Sequence, residues 1–324
     1  MRKNLSIILP CYNEEEVLPI SSEKIMSILL DLINKGKISN DSNIVFVDDG
    51  SSDKTWTLIE RLVDSDSNHY NGIKLSRNFG HQNALMAGMT SQVDKADMII
   101  TIDADLQDDI DVIEDMVDAY NEGYDVVYGV RNNRDSDTAF KRKTAETFYK
   151  LMNKAGIEMV PNHADFRLLS QRAVNTLLSF PEKNLFLRGL VPLLGYPNTK
   201  VYYSRKKREA GESKYPLKKM ISFAKEGLTS FTILPITFVR NLGYIVLSIG
   251  IIYTIYTLIQ WSKGAVENGW SSIIITLWLL GGFQLISISI IGEYIGKIYW
   301  EVKHRPRFII ETNLTGEVKE DHER

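Results

Sequence analysis

Five short apolar runs punctuate the first 131 residues, and each ends in a polar, conformationally special tail. They are Leu5–Leu9, Asn43–Val47, Gly72–Leu75, Met98–Ile102 and Val126–Val130. Helical patterns separate them, near 15–34, 53–63, 84–91 and 110–121, with Asp53 placed to cap the second. Continuous apolar strands joined by crossover helices predict a parallel sheet covered on both faces. In such sheets ligands bind outside the carboxyl ends of the strands. Those ends read Pro10-Cys11-Tyr12-Asn13-Glu14, Asp48-Asp49-Gly50-Ser51, Ser76-Arg77-Asn78-Phe79-Gly80, Asp103-Ala104-Asp105 and Arg131-Asn132. Any one could be an ordinary turn; five on one edge predict a site.

The fourth end is the most pointed. An apolar strand delivers Asp103 and Asp105, and residues at i and i+2 share one face of an extended segment. Their hard oxygens suit Mg²⁺ or Mn²⁺, which bind through a few carboxylates plus a substrate's phosphates. The position that would carry the glycine fingerprint of a dinucleotide fold reads Pro-Cys-Tyr-Asn-Glu-Glu, and no P-loop is present. A nucleotide here would need a metal to neutralise its phosphates.

Charge is near balance at −3 but unevenly spread. Residues 103–125 hold ten acids and no Lys or Arg, whereas 200–240 hold ten Lys or Arg against three acids. That argues against nucleic-acid binding, which wants one coherent basic face, and for a local basic surface meeting phosphate or a lipid headgroup. The single Cys11 excludes an intramolecular disulfide and fits a reduced cytosol as a small buried hydrophobe. The amino terminus has no signal-peptide pattern, so the first part of the chain is expected in the cytosol.

Leu-Pro-Cys-Tyr-Asn-Glu-Glu, Val-Asp-Asp-Gly-Ser-Ser-Asp, Arg-Asn-Phe-Gly and Asp-Ala-Asp-Leu-Gln-Asp, in that order, resemble family 2 glycosyltransferases of the GT-A fold. The nearest subgroup is the polyisoprenyl-phosphate glycosyltransferases, such as bactoprenol glucosyltransferases and dolichyl-phosphate mannose synthases. The resemblance implies an α/β, Rossmann-like, mostly parallel sheet flanked by helices. It implies that Pro10, Tyr12, Asn13, Glu14, Asp48, Asp49, Asp103, Ala104 and Arg131 hold a nucleotide sugar, UDP favoured. It gives the metal to Asp105 with Asp103 and Gln107, and the catalytic carboxylate to Asp165. From the residues alone, Asp165 reads equally well as the cap of a helix over 170–178. The loop Arg205–Tyr215 contains R-x-x-G-x-S-K and resembles the subgroup's acceptor loop. Arg205, Arg208, Ser213 and Lys214 would there grip a lipid phosphate.

Beyond a catalytic domain over 1–215, residues 216–240 read as a juxtamembrane amphipathic region, with Leu217, Met220, Ile221, Ala224 and Leu228 at helical spacing. Residues 241–262 and 268–292 carry no charge, and each is long enough to cross about 30 Å of hydrocarbon. The expectation is a two-helix transmembrane hairpin (about 241–262 and 270–294, within 241–298), then a cytosolic tail over 299–324 that is polar and flexible from Glu311 on. Lys225, Arg240, Lys297, Lys303, Arg305 and Arg307 flank the pair, placing the catalytic domain and both termini in the cytoplasm of an inner-membrane, multi-pass protein. Gly281-Gly282 and Gly292-x-x-x-Gly296 allow close helix packing and hence a homo-oligomer.

These features predict transfer of one sugar, glucose from UDP-glucose foremost, to polyprenyl (undecaprenyl) phosphate, and the resemblance to the subgroup implies inversion at the anomeric centre. UDP-N-acetylglucosamine and GDP-mannose are the alternative donors. A processive polysaccharide synthase is the rival enzyme, but its Q-x-x-R-W motif is missing, since none of the five Trp follows an Arg. A non-catalytic membrane scaffold is disfavoured by the intact Asp103, Asp105, Gln107 and Asp165. A phosphate monoester is already largely dianionic at neutral pH, so Asp165 either acts as a base or orients acceptor or sugar.

Overall fold

The computed structural model describes residues 2–132, 163–183, 185–204, 234–262 and 269–314. They fall into two units, one within 1–215 plus 306–324 and one within 216–305, apart from 154–156. The first unit is built on a sheet of eight strands. They are β1 (Leu5–Cys11), β2 (Asn43–Asp48), β3 (Tyr70–Leu75), β4 (Met98–Thr101), β5 (Val126–Arg131), β6 (His163–Ser170), β7 (Asn198–Tyr203) and β8 (Ile310–Asn313), in spatial order β7-β5-β6-β4-β1-β2-β3-β8.

The five expected strands form as read, and β1 explains why. Leu5, Ile7 and Leu9 join one apolar cluster with α1 (Leu18–Asn34) and α4 (Ile113–Asn121). Ile8, on the opposite face, meets α3 (His81–Gln92), where a Cβ on Gly88 would lie 2.5 Å from Ile8 Cγ2. Helices on both faces require apolar residues at every strand position rather than alternate ones. The second helix, α2 (Thr55–Ser65), starts two residues past Asp53, whose Oδ1 accepts from the Thr55 amide at 2.9 Å.

Two strands depart from the expectation. The sheet is mixed: β1–β2, β1–β4, β2–β3 and β5–β7 are parallel, but β6 runs antiparallel between β4 and β5. Asp165 therefore lies within a strand and caps no helix. The cap of α5 (Gln171–Ser179) is Ser170, whose Oγ accepts from the Ala173 amide at 3.2 Å. The segment expected as a flexible tail instead contributes β8, antiparallel on the β3 edge, with Lys74 and Glu311 paired at 3.1 Å. Covering an edge strand removes a row of unpaired backbone groups.

The second unit contains α7 (Leu234–Ser262) and α8 (Trp270–Val302), of 29 and 33 residues. Phe238, Ile245, Ile252, Leu277, Leu285 and Ile298 are all more than half exposed along them. Among the described residues, no helix is long and apolar enough to cross a membrane, so the expected transmembrane hairpin gains no support from the fold. Of the amphipathic region expected over 216–240, residues 216–233 lie outside the described residues and 234–240 open α7.

Candidate active site

The carboxyl ends of β1, β2, β4 and β5 lie on one edge, and the pairing puts β6 and β7 into register with them. Thr101 faces Arg167, Val130 faces His163, and Arg131 faces Tyr203. Residues far apart in sequence thus meet in three groups.

The first group joins the β1 and β2 ends. Asn13 adopts φ 54°, and its Oδ1 accepts from the Ser52 amide at 2.9 Å while its own amide donates to Ser51 Oγ at 2.9 Å. The Glu14 amide donates to Thr55 Oγ1 at 2.9 Å. Pro10 is buried and Tyr12 is 49% exposed, which leaves the Tyr12 ring open to a ligand. Asp48 is buried, with Oδ1 accepting from the Ser51 amide at 3.2 Å and Oδ2 unpaired, and burial pushes its pKa up.

Asp49 is committed to the fold. Its Oδ1 accepts from the Phe79 amide at 2.7 Å and its Oδ2 from the Gly80 amide at 2.9 Å, anchoring the loop that leads into α3. Both carboxylate oxygens expected to meet ligand thus hold backbone. Gly50 makes the same junction possible: at φ 69°, a Cβ there would lie 2.4 Å from the Arg77 carbonyl carbon and 2.6 Å from the Asn78 amide nitrogen. Left-handed strain costs about 1–3 kcal/mol, and a backbone collision adds to it. Gly50→Ala is therefore expected to destabilise well beyond Gly123→Ala, where φ is 104° but nothing lies within 4 Å. Paired urea melts measure the difference.

The second group is the acidic turn. Asp103 Oδ1 is buried without a hydrogen-bond partner, and His81 Nε2 stands 3.5 Å from it. Burial raises the Asp103 pKa, His81 opposes that, and Asp165, Asp108 and Asp105 add to it. Asp105 Oδ1 accepts from the Gln107 amide at 3.2 Å. Gln107 is buried, and Ala104 packs in the core beneath the turn, so its side chain is closed to a nucleotide. Leu106 adopts φ 47°, and its amide donates to the Asp103 carbonyl at 3.4 Å to close the turn. Among the described residues no three His, Cys, Asp or Glu converge on a metal position. The unsatisfied Asp103 oxygen amid like charges nonetheless fits a hard divalent cation whose remaining ligands are substrate and water.

Arg131 differs from its expected role. Its Nη2 donates to Asp108 Oδ1 at 2.9 Å and its Nε to the Tyr203 hydroxyl at 3.2 Å, while that hydroxyl donates to Asp108 at 2.6 Å. The guanidinium is held inside a cluster that ties β7 to the acidic turn.

The third group surrounds Asp165. Arg167 pairs with its Oδ1, and Arg188 on α6 (Leu187–Leu193) reaches Oδ1 through Nε at 3.3 Å and Oδ2 through Nη2 at 3.1 Å. His81 Nε2 stands 3.8 Å from Oδ2, so it spans Asp103 and Asp165. Thr101 Oγ1 donates to the Asp165 carbonyl at 2.7 Å. Burial alone would push the Asp165 carboxyl up, but Arg188, then Arg167 and His81, hold it well below the usual carboxylate range. His163 packs edge-on to Tyr128 at 5.6 Å. His81, Asp108, Arg167, Arg188 and Tyr203 escaped the sequence reading. Asp108 lay inside Asp-Ala-Asp-Leu-Gln-Asp, His81 directly follows Arg-Asn-Phe-Gly, and Arg167 stands two residues past Asp165. Arg205, Arg208, Ser213 and Lys214 lie outside the described residues.

Comparison with known proteins matches residues 6–178 to the family described as "Glycosyl transferase family 2". The chain is 50% identical over 313 residues to the uncharacterized glycosyltransferase YkoT of Bacillus subtilis (strain 168), covering 97% of this chain and 93% of that one. It is 37% identical over 314 residues to the SfII prophage-derived bactoprenol glucosyl transferase of Shigella flexneri, covering 96% and 99%. Among solved structures, glucosyl-3-phosphoglycerate synthase from Mycobacterium tuberculosis, in complex with Mn²⁺, UDP-glucose and phosphoglyceric acid, aligns at 17% identity and TM-score 0.45 over 70% of this chain and 78% of that one. With the family match spanning β1 to α5 and full-length relatives at up to half identity, this chain belongs to glycosyl transferase family 2.

Proposed function

We propose that the chain transfers one glucose from UDP-glucose to a polyprenyl (undecaprenyl) phosphate at the cytoplasmic membrane face, with inversion at the anomeric carbon. One observation carries the reading: the bactoprenol glucosyl transferase relative aligns over 96% of this chain and 99% of its own, both long helices included. The acceptor's phosphate oxygen forms a bond to the anomeric carbon as the bond to the diphosphate oxygen breaks, and UDP leaves. Tyr12, Asn13, Glu14 and Asp48 hold the nucleoside at the β1 and β2 ends. A Mg²⁺ or Mn²⁺ ion bound by Asp103 and Asp105, beside Gln107, would offset the negative charge developing on the diphosphate. Asp165, gripped by arginines and kept anionic, orients partners better than it takes protons.

A polyprenyl chain stays in the bilayer, so the enzyme must meet it there. The exposed apolar side chains along α7 and α8, and the uncharged runs 241–262 and 268–292, support membrane embedding with both termini cytoplasmic. Membranes containing the protein, incubated with labelled UDP-glucose and extracted for lipid, are expected to yield one sugar per lipid phosphate. Label appearing only from UDP-N-acetylglucosamine or GDP-mannose would change the donor. Polymer would point to a processive synthase, and no incorporation from any donor to a scaffold. Release of the protein by alkaline carbonate would overturn the embedded helices.

A further inference from the structure

Two arginines, Arg167 and Arg188, face the one Asp165 carboxylate. Arg167 is buried at 1% exposure, and its Nε and Nη1 have no hydrogen-bond partner. Arg188 sets two nitrogens against Asp165 while 31% of its side chain stays exposed, and the His81 side chain is 41% exposed. Asp165 itself is only 17% exposed, with both oxygens occupied by arginine nitrogens. What a substrate can touch here is thus the Arg188 guanidinium and the His81 ring, with the Asp165 carboxylate behind them.

We propose that Arg188, with His81 beside it, contacts the phosphate of the acceptor, and that Asp165 is the positioning residue that aims them. This rests on the lipid-phosphate reading above. A phosphate monoester is already largely dianionic at neutral pH and gains nothing from a base, but it gains from a guanidinium, whose planar fork matches phosphate oxygens. The location is right for transfer. His81 Nε2 lies 3.5 Å from Asp103 and 3.8 Å from Asp165, so the Arg188–Asp165 pair adjoins the acidic turn assigned to the donor diphosphate. Two anionic substrates then approach one another across opposite charges.

The test uses the full-length protein in nanodiscs, with farnesyl phosphate as the probe acceptor. Binding of farnesyl phosphate and of UDP is measured apart from turnover. Arg188→Gln is expected to raise acceptor KM and Kd at least about tenfold, the range for a lost charge-assisted hydrogen bond. UDP affinity should stay within about twofold, and Arg188→Lys should recover part of the loss. Asp165→Asn should shift acceptor KM in the same direction. Unchanged acceptor binding in Arg188→Gln overturns the assignment, as does an equal loss of UDP affinity. Asp165→Asn that loses kcat with acceptor KM unchanged also overturns it, because that pattern marks a base. If the wild-type protein binds no farnesyl phosphate with or without UDP, the lipid-phosphate reading itself falls. If wild type binds and Arg188→Gln binds equally, only this assignment falls.

Discussion

Asp103→Asn is expected to lower turnover by about two to three orders of magnitude, the cost of losing one preorganised electrostatic group, and at the same time to raise the melting temperature of the metal-free protein. Both effects have one cause. Asp103 Oδ1 is buried without a partner, and Asp165, Asp108 and Asp105 surround it with like charge. Neutralising it removes repulsion and supplies an amide that can donate. Natural sites often give up stability in this way for function. Metal separates the two effects. With Mn²⁺ and UDP present, wild type should gain about 2.7 kcal/mol at a hundredfold excess over Kd, whereas Asp103→Asn should gain little. Scanning fluorimetry with and without Mn²⁺ and UDP reads both arms. A variant that keeps wild-type turnover, or that melts lower in the absence of metal, would sink the argument.

What was legible in the chain followed from burial on two faces. The runs beginning at Leu5, Asn43, Gly72, Met98 and Val126 are apolar because helices cover both sides of the sheet, and continuous runs are easily read. β6 was not legible, because His163, Asp165 and Arg167 alternate with Ala164, Phe166 and Leu168 and look like a polar cap. The Asp165 and Arg167 charges pair with each other inside the fold, and a single sequence cannot distinguish a paired interior charge from a solvated one. The same limit hid the Arg131–Asp108–Tyr203 cluster, whose members lie up to 95 residues apart. Only β5–β7 pairing brings Tyr203 beside Arg131. β8 was missed for another reason. Ile310–Asn313 is four residues with a polar outer side, too short to carry a periodic signal.

Asp165→Ala is expected to destabilise the catalytic unit by about 3–5 kcal/mol, the cost of leaving a buried charge without its partner. Arg167 is the group left behind, since its remaining donors have no acceptor and burial already lowers its pKa. Loss of activity in Asp165→Ala alone therefore says little about mechanism, and Asp165→Asn is the informative variant. Adding Arg167→Met to Asp165→Ala should restore much of the stability, because an apolar side chain of similar volume replaces the stranded guanidinium. A double-mutant cycle would show strong coupling; additive penalties would mean the two residues do not act as a pair. The pH dependence follows with a definite sign. Arg188 and Arg167 depress the folded-state Asp165 pKa, so its stabilisation is fully present above the unfolded value of about 3.9 and is lost as pH falls through the lower folded value. Urea melts of wild type should weaken progressively below about pH 5, and those of Asp165→Asn should lack that one-proton component. Parallel acid limbs in the two proteins would remove the arginine clamp from the account, and with it the reason for treating Asp165 as an orienting anion.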